Sequence, residues 1–119
     1  MEIFQGIIII LAIAFLISRF IPVKGINQIT SQEAKRKFTN KNVQFVDVRT
    51  PQEYKANHRK PFTNIPLHEL ANRIKDLDKH KEIIVICQSG MRSMRAAKFL
   101  KKNGFEKISN VKGGMSSWM

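Results

Sequence analysis

An α/β fold built on a parallel sheet is predicted for most of this chain, on three observations. Short β-branched runs alternate with helical stretches along the sequence. Ile83 to Ile86 is a continuous apolar run of isoleucine and valine, as expected of a central parallel strand covered on both faces. Thr30-Ser31-Gln32-Glu33 and Thr50-Pro51-Gln52-Glu53 each have the form of a capping box placed just after a candidate strand.

The first element stands apart from that pattern. Residues 3–21 are almost entirely apolar, with Gln5, Ser18 and Arg19 the main exceptions. These nineteen residues, at about 1.5 Å each, make roughly 28 Å of helix, close to a hydrocarbon thickness of about 30 Å. No polar face interrupts Ile7 to Ile17, unlike a core helix. A cleaved signal peptide is the rival, but the start carries Glu2 and SRFIPVKG offers no small-x-small site. One transmembrane helix is therefore expected as an anchor over residues 1–22, touching membrane lipid through 3–21, followed by a single domain over 23–119. Only the amino terminus and Glu2 precede the span, whereas Arg19, Lys24, Lys35, Arg36 and Lys37 follow it. The positive-inside rule then places the protein in the cell membrane, single-pass, with its C-terminal domain facing the cytoplasm.

The remaining elements follow in order. Pro22 to Gly25 is a short exit, and Ile26 to Ile29 a short strand. The first capping box opens a helix that continues from Ala34 to Phe38. Val43 to Val48 has the alternation and β-branching of a strand, and the second capping box, with proline at the first helical position, starts a short helix ending near Asn57. His58 to Pro66 reads as a loop with a brief strand around Thr63 to Ile65. Leu67, Leu70, Ile74 and Leu77 fall on one helical face. After the Ile83–Ile86 strand, a helix from Ser93 to Lys102 turns Ala96, Ala97 and Leu100 inward and stops at Asn103-Gly104. A last strand lies within Phe105 to Val111, and Gly113-Gly114 precedes a terminal turn carrying Trp118 as core packing.

Composition narrows the chemistry. A formal charge of +12, from 21 basic and 9 acidic side chains, points to an anionic partner. The basic runs lack interleaved exposed aromatics, so nucleic acid is a poor fit. With one cysteine there is no intramolecular disulfide, and a free thiol suits a reducing compartment. His58, His68 and His80 have no ligand spacing, and no metal or organic cofactor is expected.

Cys87 ends the Ile83–Ile86 run and is followed at once by Gln88-Ser89-Gly90-Met91-Arg92. In open α/β sheets ligands bind beyond the carboxyl ends of the strands. A helix starting near Arg92 or Ser93 directs its free N–H groups at the sulfur. Gly90 lets the loop curl into an anion nest, and Arg92 adds a full charge. Together these lower a thiol pKa and make a nucleophile. A buried, inert cysteine at a strand end is the plainer alternative.

Over about residues 26–118 the chain resembles a single-domain rhodanese, through FVDVRTPQEY, the segment from His58 to Leu67 with NIPL, VICQSGMRS followed by AA, GF at 104–105 and the late GG…W. The resemblance implies a five-stranded parallel-type sheet with helices on both faces, and a thiosulfate sulfurtransferase type of activity. By position, Cys87 is the residue that carries the transferred sulfur as a persulfide, and Gln88, Ser89, Gly90, Met91 and Arg92 are its anion-binding cradle. The partners implied are a small anionic sulfur donor and an external thiol or protein acceptor, since no second cysteine resolves the persulfide. Asp47 and Arg49 match the family's DVR, Asp47 as a residue that pins loop N–H groups, Arg49 either as its pair or as lining of the anion entrance. Arg95 faces the pocket mouth or water. The chain departs from the family where NHRKPFTNIP stands for a pattern like GHIPGAINIP, which alters the adjoining loop. Related phosphatases space cysteine and arginine as C-x5-R, whereas Cys87 and Arg92 are C-x4-R, a ring too small for phosphate. A membrane-tethered protein-binding module with little turnover is the alternative of a different class.

Overall fold

The computed structural model describes residues 2–20 and 25–118, without the side chains of 18–20. Helix α1 (Glu2–Phe20) is followed by β1 (Ile26–Ile29), α2 (Ser31–Arg36), β2 (Val43–Asp47), α3 (Pro51–Ala56), β3 (Thr63–Asn64), α4 (Leu70–Arg73), β4 (Glu82–Ile86), α5 (Met91–Lys102) and β5 (Ile108–Val111). The five strands form one sheet in the order β1-β5-β4-β2-β3, and each neighbouring pair is parallel. The expected α/β architecture with five strands is present.

Period-2 alternation on the central strand fills both faces of the sheet. Ile83, Val85 and Cys87 join one apolar cluster with Ala96, Ala97 and Leu100 of α5 and Leu70 of α4. Ile84 and Ile86 join the other, with Ala34 of α2, Phe62 and Met115, and Phe38 and Trp118 pack against it. Residues Ile83 to Cys87 are wholly buried, so the sulfur sits on the face covered by α5.

The chain's crossovers diverge beside Cys87. From β2 the chain crosses through α3 to β3 on one side, and from β4 it crosses through α5 to β5 on the other. Where adjacent connections diverge like this, the carboxyl ends of the strands leave room for a ligand.

Local signals hold where they are strong. Thr30 and Thr50 both make complete capping boxes, with Glu33 and Glu53. Helix α5 ends as Gly104 turns with φ +93° and the Phe105 N–H reaches the Leu100 carbonyl at 3.1 Å. The stretch from Leu67 to Leu77 is not one regular α-helix. Leu67–Glu69 and Ile74–Asp76 are 3₁₀ turns flanking the single turn of α4. Its apolar residues are spaced three, four and three, and a spacing of three suits the three residues per turn of a 3₁₀ helix.

The transmembrane helix expected over residues 3–21 is not borne out. Among the described residues no helix is long and apolar enough to cross a membrane. Helix α1 is nineteen residues long, Glu2–Phe20, and its described side chains run from Glu2 to Ile17. The Arg19 side chain and the exit at 21–24 lie outside the described residues. What α1 does show is exposure: Ile3, Phe4, Ile7 to Leu11, Ile13, Leu16 and Ile17 are all solvent-accessible.

Candidate active site

Cys87 follows directly on β4, and the chain then makes a tight loop into α5. Gly90 is the N-cap of α5 in a left-handed conformation, φ +102°, and no side chain caps the helix. A side-chain cap would occupy the first N–H groups. Here they serve the sulfur instead.

The Gly90 N–H donates to Cys87 Sγ at 3.0 Å, and the Ser93 hydroxyl lies 3.3 Å from it. Burial pushes the Cys87 thiol up, but hydrogen bonds from the Ser93 hydroxyl and from the backbone N–H groups of Ser93, Gly90 and Ser89 outweigh it, so its pKa lies below the ordinary thiol value. The lone cysteine is thus wholly buried yet held in donors, which sets it apart from an inert core thiol.

The sequence does not single out Ser93, although a signal exists. Ser93, Ala96, Ala97 and Leu100 are the buried residues of α5, so Ser93 is the one polar group on that helix's core face. Its hydroxyl also reaches the Gly90 carbonyl at 3.2 Å and Asn110 Oδ1. Asn110, buried in β5, donates from Nδ2 to Gln28 Oε1 at 3.2 Å and to the Gly90 carbonyl at 3.4 Å. Replacing Ser93 with alanine removes a donor to the sulfur and keeps the helix. The pH midpoint of Cys87 alkylation by iodoacetamide should then move up; an unchanged midpoint removes Ser93 from the cradle.

The expected cradle residues divide. Ser89 and Gly90 supply N–H groups to the sulfur. Gln88 turns its side chain away, its Oε1 at 3.4 Å from Arg49 Nη1 and its Nε2 at 3.3 Å from Ser116 Oγ. Met91 is 65% exposed. Arg92 does not add an uncompensated charge to the loop. Its Nη1 and Nη2 lie 2.7 and 2.9 Å from Glu53 Oε1 and Oε2 in a bidentate pair. Those hydrogen bonds, with help from Thr50 and against some burial, hold the Glu53 carboxyl down at about 2, and the pairing raises Arg92. The pair therefore stays charged at neutral pH and dissolves only as the pH falls from 4.5 towards about 2.

Asp47 and Arg49 prove to be a buried pair at the end of β2. Arg49 is 2% exposed and Asp47 wholly buried. Arg49 Nε lies 3.0 Å from both Asp47 oxygens, and Nη2 lies 2.8 Å from Oδ2. Nη2 also donates to the Asn57 carbonyl at 2.6 Å. Asp47 does pin a backbone N–H, that of Arg49 itself at 3.0 Å. Arg49 is thereby withheld from the anion entrance and buttresses the loop through Gln88. Arg95 is exposed, as are His58, His68 and His80.

A second support comes from the chain's last described turn, Gly114–Ser117. Met115 N–H donates to the Cys87 carbonyl at 2.8 Å and Ser116 N–H to the Gln88 carbonyl at 2.9 Å. Turning both carbonyls outward leaves the following N–H groups free to face the sulfur. Trp118 stacks on Phe38 at 5.9 Å, the packing role expected of it.

Comparison with known proteins follows the same lines. The family model described as the rhodanese-like domain matches residues 30–119. The chain is 38% identical over 95 residues to the putative sulfur carrier protein YrkF of Bacillus subtilis, covering 79% of this chain and 51% of that protein, so it spans about half that relative's length. It is 36% identical over 73 residues to the thiosulfate sulfurtransferase GlpE of Pseudomonas syringae, covering 61% of this chain and 69% of that one. Among solved structures, a rhodanese-like domain protein from Staphylococcus aureus superposes with a TM-score of 0.71 at 32% identity, covering 78% of this chain and 91% of that one. A loop closing on a buried sulfur, on a β1-β5-β4-β2-β3 parallel sheet, with a matching family model over most of its length, places this chain in the rhodanese-like domain family.

Proposed function

We propose that this protein is a sulfurtransferase that moves a sulfane sulfur from a donor such as thiosulfate to a thiophilic acceptor through a persulfide on Cys87. The observation that carries this reading is the Cys87 sulfur, which receives N–H and O–H donors from Ser89, Gly90 and Ser93 and has a lowered pKa. The relatives named as sulfurtransferases support it.

In the first step the Cys87 thiolate attacks the outer sulfur of thiosulfate. A new S–S bond forms to Sγ, the donor's own S–S bond breaks, and its electron pair leaves with sulfite. The terminal persulfide sulfur then carries the negative charge, which the loop N–H groups and the α5 N-terminus stabilise. In the second step an acceptor nucleophile, a thiol or cyanide, attacks that terminal sulfur, and the bonding pair returns to Cys87 as thiolate. The donors that lower the Cys87 pKa favour the thiolate, the form that attacks. A thiosulfate-to-cyanide turnover assay on the full chain tests this reading. Binding of partner proteins without turnover would favour the docking module.

Attachment to a membrane, with the C-terminal domain on the cytoplasmic side, belongs to the same proposal. It is supported by the exposed apolar side chains of α1, a patch larger than a soluble monomer ordinarily leaves in water, and by the basic residues that follow it. The full chain should sediment with membranes after lysis and resist protease added outside intact cells, whereas a variant lacking residues 1–22 should stay in the supernatant. Recovery of the full chain in the supernatant at low detergent would remove the lipid partner.

A further inference from the structure

We propose that Glu53 is a specificity-determining residue: by holding the Arg92 guanidinium in a bidentate pair it cancels the charge that the mouth of the cradle would otherwise offer, and so sets the balance between anionic and neutral sulfur compounds. This rests on the reading of Cys87 as the nucleophile.

Arg92 is the second residue of α5, two positions past the Gly90 cap whose N–H reaches the sulfur. It stands at the end of α5 that faces Sγ, and the electrostatic pull of Cys87 on it agrees with that placement. Glu53 reaches it from α3, thirty-nine residues away in sequence, with contacts of 2.7 and 2.9 Å. The carboxylate is also fixed on its own helix, where Oε1 accepts from the Thr50 N–H at 3.0 Å and the Thr50 hydroxyl at 3.1 Å. The cap thus holds the carboxylate in place to receive Arg92. The other arginine of the site, Arg49, is matched in the same way by Asp47. Both cations that flank the loop thus face a carboxylate, and the site depends on neutral N–H and O–H donors to hold a sulfur anion. Beside Arg92 lies a groove of about 290 Å³ lined by Val48, Thr50, Pro66, Leu67 and His68, room for an uncharged portion of a donor or acceptor.

The experiment compares two reagents of the same chemistry and different charge. Iodoacetate and iodoacetamide both alkylate Cys87, the chain's one cysteine, and the ratio of their rates reports charge at the mouth. Glu53→Gln keeps an oxygen for the Thr50 cap and frees the Arg92 charge. The iodoacetate-to-iodoacetamide ratio should rise about threefold to tenfold, as one partly solvated charge a few ångströms away would give, and the rise should shrink in 1 M salt. Adding Arg92→Gln in the same chain should abolish the rise. Arg92→Gln alone, which leaves Glu53 uncompensated, should lower the ratio by a similar factor and serves if Glu53→Gln does not fold. The thiosulfate KM should fall in Glu53→Gln with kcat changed less.

A merely structural role for the pair would slow or speed both reagents together. An unchanged ratio in a folded Glu53→Gln protein, or a rise that survives Arg92→Gln, overturns the proposal. The sulfurtransferase reading fails separately, if the wild type takes up no sulfur while the alkylation ratio still responds.

Discussion

Replacing Cys87 with serine should remove sulfur transfer to background, a loss of about 10³-fold or more, as deletion of a nucleophile does in other enzymes. The exchange is nearly isosteric, and serine retains an oxygen to accept from Gly90 N–H and Ser93. Stability should therefore change by no more than about 1 kcal/mol. A hydroxyl in that cradle is not ionised at neutral pH, so it neither attacks a sulfane sulfur nor forms a persulfide. Thermal unfolding followed beside the turnover assay separates the two effects. Appreciable turnover with an unaltered melting curve would mean that sulfur moves by a route that does not pass through residue 87.

The second large effect is expected at Gly114, which the mechanism does not touch. Its φ of +58° is one that L side chains rarely adopt, and a Cβ there would stand 2.2 Å from the Cys87 carbonyl oxygen and 2.9 Å from its carbon. Those are backbone atoms with no rotamer to escape into. The left-handed conformation alone costs about 1–2 kcal/mol for a residue with a Cβ, and the overlap adds to it, so Gly114→Ala should destabilise the domain by about 2–4 kcal/mol. The turn must also retreat from Cys87, which loosens the Met115 and Ser116 hydrogen bonds that aim the loop. A displacement near 1 Å can cost about 10²-fold in rate, so the protein that remains folded should be slow as well as fragile. Wild-type turnover in a Gly114→Ala protein would show that the terminal turn does not position the loop.

These two residues also mark how far the sequence could be read. Everything governed by local chemistry was legible: the apolar run of β4, the capping boxes at Thr30 and Thr50, the proline opening α3 and the glycine closing α5. Cys87 was legible as well, because a polar, glycine-containing loop after a buried strand is a local pattern. Where periodicity admits two answers the reading was less sharp, as with Leu67 to Leu77, whose spacing fits α and 3₁₀ turns alike. The contacts that complete the site are of another kind. Glu53 with Arg92, Asn110 with Ser93, and Met115 with Cys87 join elements far apart in the chain. Glu53 is already explained by its capping box, so nothing local announces its second bond. Arg92 was expected as a free cation because its sequence neighbours contain no acid. The apolar first segment is the reverse case: hydropathy reads as a membrane span, while the described helix falls short of one.

The central claim is that Cys87 carries the sulfur in transit, and intact mass measures it most directly. The full chain is incubated with thiosulfate, freed of excess donor and weighed, alongside Cys87→Ser. The wild type should gain one sulfur atom, lose it to cyanide and then accept another, while the variant gains none. No added sulfur on the wild type, or the same addition on Cys87→Ser, would contradict the account.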